Sequence, residues 1–211
     1  MTWATQYALQ NLGDADRMQA TQLNDEVLQI ASDDKPTVLA FISPAEEIDL
    51  QGAQAITEIN PDIDFLCGYR KRCLWHGDAI EFLEQQRVGW GSFGTLTSAV
   101  LDGDANLAGH KTFRFVYRVF TQMGGVRVQR EYDRVIVVTR GDGKRIRVSF
   151  AENYEPTADV VRELWTKCGP SDVICNINPN GRPTAGAHEA AKRLGTIVLN
   201  VADTLRHIRQ S

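Results

Sequence analysis

The chain has 211 residues and a formal net charge of −4, with 43% hydrophobic and 24% charged residues, an ordinary balance for a soluble globular protein. That length supports one sizeable core, or one domain with a small appended lobe. No apolar run approaches the roughly 20 residues of a membrane span. The opening "MTWATQYALQNLGDADRMQ" lacks a basic flank before an apolar core and does not read as a secretory signal. The acidic balance speaks against a protein that coats nucleic acid indiscriminately, while leaving room for a local basic patch.

Residues 2–31 read as helical and mixed-polar, with a break at Gly13 and Asp14. "PTVLAFIS" (36–43) is a short apolar run between prolines and predicts a buried strand. A short helix over 49–59, a strand over 62–69 and a helix over 76–86 follow. Residues 88–104 begin as a glycine-rich loop and turn helical near Leu96. In 111–125 the apolar residues Phe113, Val116, Tyr117, Phe120 and Met123 fall at helical spacing, and Gly124-Gly125 supply the stop. A three-strand meander comes next, containing "EYDRVIVVTRGDGKRIRVSFAENY" (131–154). Then come a helix over 156–169, a strand over 172–178, a helix over 183–195, a strand over 196–201 and a closing helix over 202–210. No internal repeat is visible. The fold class expected is α/β, a mixed central sheet flanked by helices. The expected division is a helical and βαβ-like N-terminal region over 1–104 and a second domain over 105–211, with one continuous domain as the alternative.

The meander holds the main chemical candidates. Asp142-Gly143 is a strong hairpin signal, and a two-residue turn there places Lys144 at an exposed tip, outside any pocket. The same turn pairs Arg140 with Arg145, Val138 with Arg147, Val137 with Val148 and Val135 with Phe150, and so sets Asp133 opposite Glu152. Two carboxylates directly opposed, about 4.5–5.5 Å apart at their β-carbons, are destabilising unless something neutralises them. A divalent cation is one remedy; a neighbouring arginine or a bulge is another.

From about 111 to 210 the order of elements resembles the PD-(D/E)XK, or restriction-endonuclease-like, nuclease superfamily, especially its Mrr-type and Holliday-junction-resolving branch. The helix ending in Gly-Gly, the aspartate, the hairpin, and the stretch "SDVICNINPNGRPTAGAHEAAKRLGTIVLNVADTL" (171–205) carry the resemblance. It implies a restriction-endonuclease-like core in the C-terminal half, Asp133 and Glu152 as metal ligands, and Mg²⁺ as cofactor. The motif lysine falls on Tyr154, which cannot offset charge developing on a phosphate. Lys167, on the following helix, is a candidate replacement.

Elsewhere, Arg70, Lys71 and Arg72 beside Trp75 in "YRKRCLWH" (69–76) could combine phosphate contact with base stacking; a solvated turn with a half-buried tryptophan is the simpler alternative. "GWGSFG" (89–94) is either a loop over a groove or a tight crossover. "NPNGRPT" (178–184) precedes a helix whose amides could meet a phosphate. The cysteines Cys67, Cys73, Cys168 and Cys175 form no CxxC pair, which suits free thiols in a cytoplasmic setting. Cys67, Cys73 and His76 match no common zinc module. Two functions follow as expectations. One is a weak Mg²⁺-dependent nuclease acting on DNA or RNA in bacterial or phage defence or repair. The other is a non-catalytic descendant serving as a DNA-binding or protein-interaction subunit.

Overall fold

A computed structural model describes residues 2–13, 17–70 and 73–210. The chain divides into two compact units, residues 1–111 and 112–211, so the boundary lies a few residues beyond the one expected from the sequence.

The first unit contains α1 (Trp3–Gly13), β1 (Met18–Gln22), β2 (Val27–Ser32), β3 (Val38–Ser43), β4 (Glu47–Ile48), α2 (Leu50–Ile59), β5 (Phe65–Gly68), β6 (Leu74–Trp75), α3 (Gly77–Gln86), β7 (Gly89–Gly91) and α4 (Phe93–Asp102). Its sheet runs β1-β2-β3-β5-β7. The β1–β2 and β2–β3 pairs are antiparallel, and β3–β5 and β5–β7 are parallel. Alternation sends Leu28, Ile30, Ala40 and Ile42 to one face, where Ala4, Ala8 and Leu12 of α1 and Leu96, Ala99 and Val100 of α4 cover them. Val27, Phe41 and Leu66 point the other way, against Ala53 of α2, Ile80 and Leu83 of α3, and the tryptophans Trp75 and Trp90.

The second unit contains α5 (Lys111–Thr121, its first residue assigned to the first unit), β8 (Val126–Tyr132), β9 (Val135–Arg140), β10 (Arg145–Ala151), α6 (Ala158–Cys168), β11 (Val173–Asn176), α7 (Ala185–Leu194), β12 (Ile197–Asn200) and α8 (Val201–Gln210). Its sheet runs β8-β9-β10-β11-β12, again two antiparallel pairs followed by two parallel ones. Phe113, Val116 and Phe120 of α5 and Ile208 of α8 pack on Ile136, Val138, Ile146, Val148 and Phe150. The fold class is therefore α/β, with mixed sheets flanked by helices, and the elements expected from 111 onward all form.

The two units are the same topology written twice, in step. Eight elements of the second begin 108 residues after their counterparts in the first, and β10 begins 107 after β3: Trp3 and Lys111, Met18 and Val126, Val27 and Val135, Leu50 and Ala158, Phe65 and Val173, Gly77 and Ala185, Gly89 and Ile197, Phe93 and Val201. The correspondence extends to single bonds. Asp64 accepts from the backbone N–H of Leu39 at 2.8 Å, and Asp172 accepts from that of Arg147 at 2.7 Å. Leu74 N donates to Glu46 O and His76 N to Ile48 O; Arg182 N donates to Tyr154 O and Thr184 N to Pro156 O. Ser92 caps α4 through Thr95 N as Asn200 meets Asp203 N. Side-chain identity at this spacing is confined to Asp25/Asp133, Val27/Val135, Asp34/Asp142, Glu47/Glu155, Asp64/Asp172, Cys67/Cys175, Ala79/Ala187 and Glu81/Glu189. Too few residues recur for the repeat to show in the sequence.

Two further expectations are corrected, and one pair of alternatives is decided. Residues 18–22 and 27–32 are strands rather than helix, because β1 is a polar segment held by its pairing with β2 and carries little strand signal of its own. "GWGSFG" is the tight crossover rather than a loop over a groove: β7 is the edge strand paired with β5, and Trp90 is packed into the core, 1% exposed. The β9–β10 register is one residue away from that expected, pairing Val138 with Ile146, Val137 with Arg147 and Ile136 with Val148. The turn explains it. Gly143 N donates to Arg140 O, Arg140 N donates to Lys144 O, and Gly143 has φ +84°. This is a three-residue loop closed by a left-handed glycine, the alternative hairpin geometry to a two-residue turn. One extra loop residue moves every side chain of one strand to the other face.

Candidate functional site

Asp133 and Arg134 form the tight connection between β8 and β9, where the β8–β9 register shifts between Arg130 and Tyr132. Asp133 is 6% exposed, so its charge needs a partner, and the next residue supplies it. Arg134 Nε donates to both carboxylate oxygens at 3.2 Å and Nη2 donates to Oδ2 at 2.7 Å. The guanidinium carbon also lies 5.5 Å from the centre of the Phe113 ring. Burial works against the Arg134 charge, but the Asp133 carboxylate outweighs it and holds the guanidinium pKa above its usual value, with Glu152 adding a smaller contribution.

Glu152 follows the last residue of β10 and is exposed. It is not the cross-strand neighbour of Asp133: the ladder ends at Ser149 with Val135, and beyond it Phe150 N donates to Arg134 O. The expected cross-strand pairing is thus undone by the shifted register, and the Asp133 charge is met by a neighbouring arginine, one of the simple remedies. Tyr154 is 63% exposed and lines a shallow groove of about 670 Å³ with Pro179, Asn180, Gly181 and Arg182. Lys167, on α6, lies in the field of these charges: burial and the Arg134 guanidinium lower its pKa, and Asp133 partly restores it. Among the described residues no group of three His, Cys, Asp or Glu side chains could hold a metal ion, which covers Cys67, Cys73 and His76 as well. His76 Nε2 instead meets Glu47 Oε1.

The sheet face beneath α6 is polar in its own right. Arg147 clamps Glu131 with two hydrogen bonds of 2.8 Å and donates to the carbonyls of Cys168 and Pro170 just where α6 ends, the favoured place for a cation. Ser149 and Ser171 hydrogen-bond through their hydroxyls. Burial pushes the Cys168 thiol up to about 11 and the Cys175 thiol up to about 12, so neither is a reactive thiolate at neutral pH.

The proposed basic cluster of the first unit is partly engaged. Arg70 Nε donates to Pro44 O at 2.7 Å, Nη1 lies 3.1 Å from Glu46, and the guanidinium sits over Trp3. Lys71 and Arg72 fall outside the described residues. Trp75 is 3% exposed and packs on Trp90, with ring centres 5.4 Å apart. It belongs to the core and cannot stack on a base. Thr184, at the start of α7, spends its hydroxyl on the cap to Ala187 N. Lys144 is exposed at the hairpin tip, as expected.

No family model matches the chain, and neither a curated protein nor a solved structure matches it. The site must therefore be read from its own chemistry, and the charge distribution is the strongest signal. Residues 1–111 hold 7 Lys and Arg against 17 Asp and Glu, a net −10; residues 112–211 hold 16 against 10, a net +6. The overall −4 conceals a basic unit behind an acidic one. That asymmetry could have been counted from the sequence once the boundary was known. The Asp133–Arg134 pair could also have been suspected, since the two are adjacent and the turn between β8 and β9 is short.

Proposed function

We propose that the protein is a nucleic-acid-binding subunit whose second unit is nuclease-like in topology and non-hydrolytic. The observation that carries this reading is the capture of Asp133 by Arg134. A carboxylate that holds a divalent cation must offer its oxygens to it, whereas both Asp133 oxygens accept from a guanidinium that is itself largely enclosed. Displacing that arginine breaks a buried pair, a change that costs about 3–5 kcal/mol. The residues present do not fit a Mg²⁺ site. Tyr154 in the motif-lysine position points the same way. The net +6 of the second unit supports a polyanionic partner. The resemblance in element order supports nucleic acid as that polyanion, by analogy of fold. Among the described residues no helix is long and apolar enough to cross a membrane.

The test is a titration of the purified protein with labelled single-stranded DNA, duplex DNA and RNA, followed by incubation with Mg²⁺ or Mn²⁺. Expected are salt-sensitive binding and no cleavage, with Asp133→Asn indistinguishable from the parent in both. A second reading, a weak metal-dependent nuclease, is favoured by one observation: Lys167 lies in the field of Asp133 and Arg134 with a lowered pKa, where a relocated lysine would be useful. Cleavage that Asp133→Asn or Glu152→Gln abolishes would establish that reading instead.

A further inference from the structure

Helices α5 and α8 pack on the same face of the second sheet, joined through one core. Their outward sides are basic. Alpha5 carries Lys111, Arg114 and Arg118 and no acidic residue; α8 carries Arg206 and Arg209 with one acid, Asp203. The spacing is helical, with Arg114 and Arg118 four residues apart and Arg206 and Arg209 three apart, so each pair shares a side of its helix. Arg118, Arg206 and Arg209 are exposed, Arg206 with 67% of its side chain in solvent. Asp203 lies 2.7 Å from Arg206 and Asp102 of α4 lies 2.9 Å from Lys111, yet the two helices still carry five cations against the single acid Asp203. Among them stands Phe115, 64% exposed, a large apolar ring for which the helix provides no cover.

The corresponding helices of the first unit show that the fold does not require this. Alpha1 carries no charged residue, and α4 carries only Asp102. The outward basic residues of α5 and α8 are therefore specific to the second copy of the topology.

We propose that the outer side of α5 and α8 binds single-stranded nucleic acid, with Arg114, Arg118, Arg206 and Arg209 on successive phosphates and Phe115 stacked on an unpaired base; this rests on the nucleic-acid reading above. A cationic surface meets a sugar–phosphate backbone by charge complementarity. An exposed aromatic ring between cations adds a stacking platform that accepts any base, and only an unpaired base presents its face. The site lies on the face of the sheet opposite α6 and does not involve the Asp133 turn.

Fluorescence anisotropy of the full chain with a labelled oligothymidylate and with a duplex of the same length tests this. For four phosphate contacts, log K should fall with log salt at a slope of about −0.7 per contact for a single strand. Arg118→Glu with Arg209→Glu should weaken binding at least ~10-fold and flatten that slope. Phe115→Ala should cost about 5-fold or more for the single strand, while Phe115→Trp keeps parental affinity and the duplex is bound more weakly throughout. All substitutions are at exposed positions, and an unchanged circular dichroism spectrum and melting temperature confirm that folding is intact. Parental affinity in the double charge-reversal variant would overturn this surface and leave the nucleic-acid reading standing. A parent that binds neither strand would overturn both. Equal loss for duplex and single strand, with Phe115→Ala silent, would overturn the stacked-base assignment.

Discussion

Where the first unit places Phe41, Ile63, Leu39 and Leu23, the second places Ser149, Ser171, Arg147 and Glu131, each 108 residues later. The backbone scarcely distinguishes them: strand order, register and the aspartate that clamps the start of β5 or β11 are shared. The difference lies in what the sheet face under α2 and α3, or under α6 and α7, is made of. In the first unit it is an apolar core centred on two tryptophans. In the second, Trp75 and Trp90 become Pro183 and Val198, Leu83 becomes Ala191, and the space along the strands is taken by ion pairs and hydroxyls. One topology has been stabilised in two ways, by burial of apolar area and by a satisfied polar network. The lesson is that the topology alone sets neither the chemistry nor the charge.

This contrast is easiest to break at its extremes. Trp90→Ala should destabilise the first unit by about 3–5 kcal/mol, against about 1–2 kcal/mol for Val198→Ala at the corresponding position, read as shifts in urea midpoint. Equal losses would mean the two faces do not differ in the way described. Arg134→Ala should cost about 3 kcal/mol or more, because it strands the buried Asp133 carboxylate, while Glu26→Ala, the matching change, should stay under about 1 kcal/mol. A mild Arg134→Ala would show the pair to be a surface decoration.

The shared elements give the opposite kind of prediction. Asp64→Ala and Asp172→Ala each remove a charge-assisted bond to a strand amide and should cost similar amounts, about 1.5–3 kcal/mol. A large effect in one alone would argue against the two units being equivalent there. The smallest effect belongs to Lys144→Ala at the hairpin tip, below about 0.5 kcal/mol.

The elements from 111 onward were readable because their apolar residues repeat cleanly at 3.6 or 2.0 residues, as Phe113, Val116 and Phe120 do in α5. β1 was not, since "MQATQ" is a strand only by virtue of its neighbour. Asp142-Gly143 marked the right turn, but the choice between a two- and a three-residue loop depends on the conformation Gly143 adopts, which no residue identity dictates. That single residue of slip decided the fate of the carboxylate pair. Trp75 is a similar case: basic neighbours suggested a stacking surface, and only the packing of α2 and α3 shows it to be interior. The repeat stayed hidden because its two copies preserve hydrogen-bond geometry, which side-chain identity does not encode.

On the reading proposed above, Arg134 holds both Asp133 oxygens and so keeps a divalent metal from a unit proposed to bind nucleic acid. That reading is tested most directly by crystals grown in Mn²⁺, with anomalous scattering recorded around the β8–β9 turn. The account predicts no manganese between Asp133 and Glu152 and an Arg134 guanidinium still paired with both carboxylate oxygens. Manganese bound by the two carboxylates, with Arg134 turned away, would contradict it.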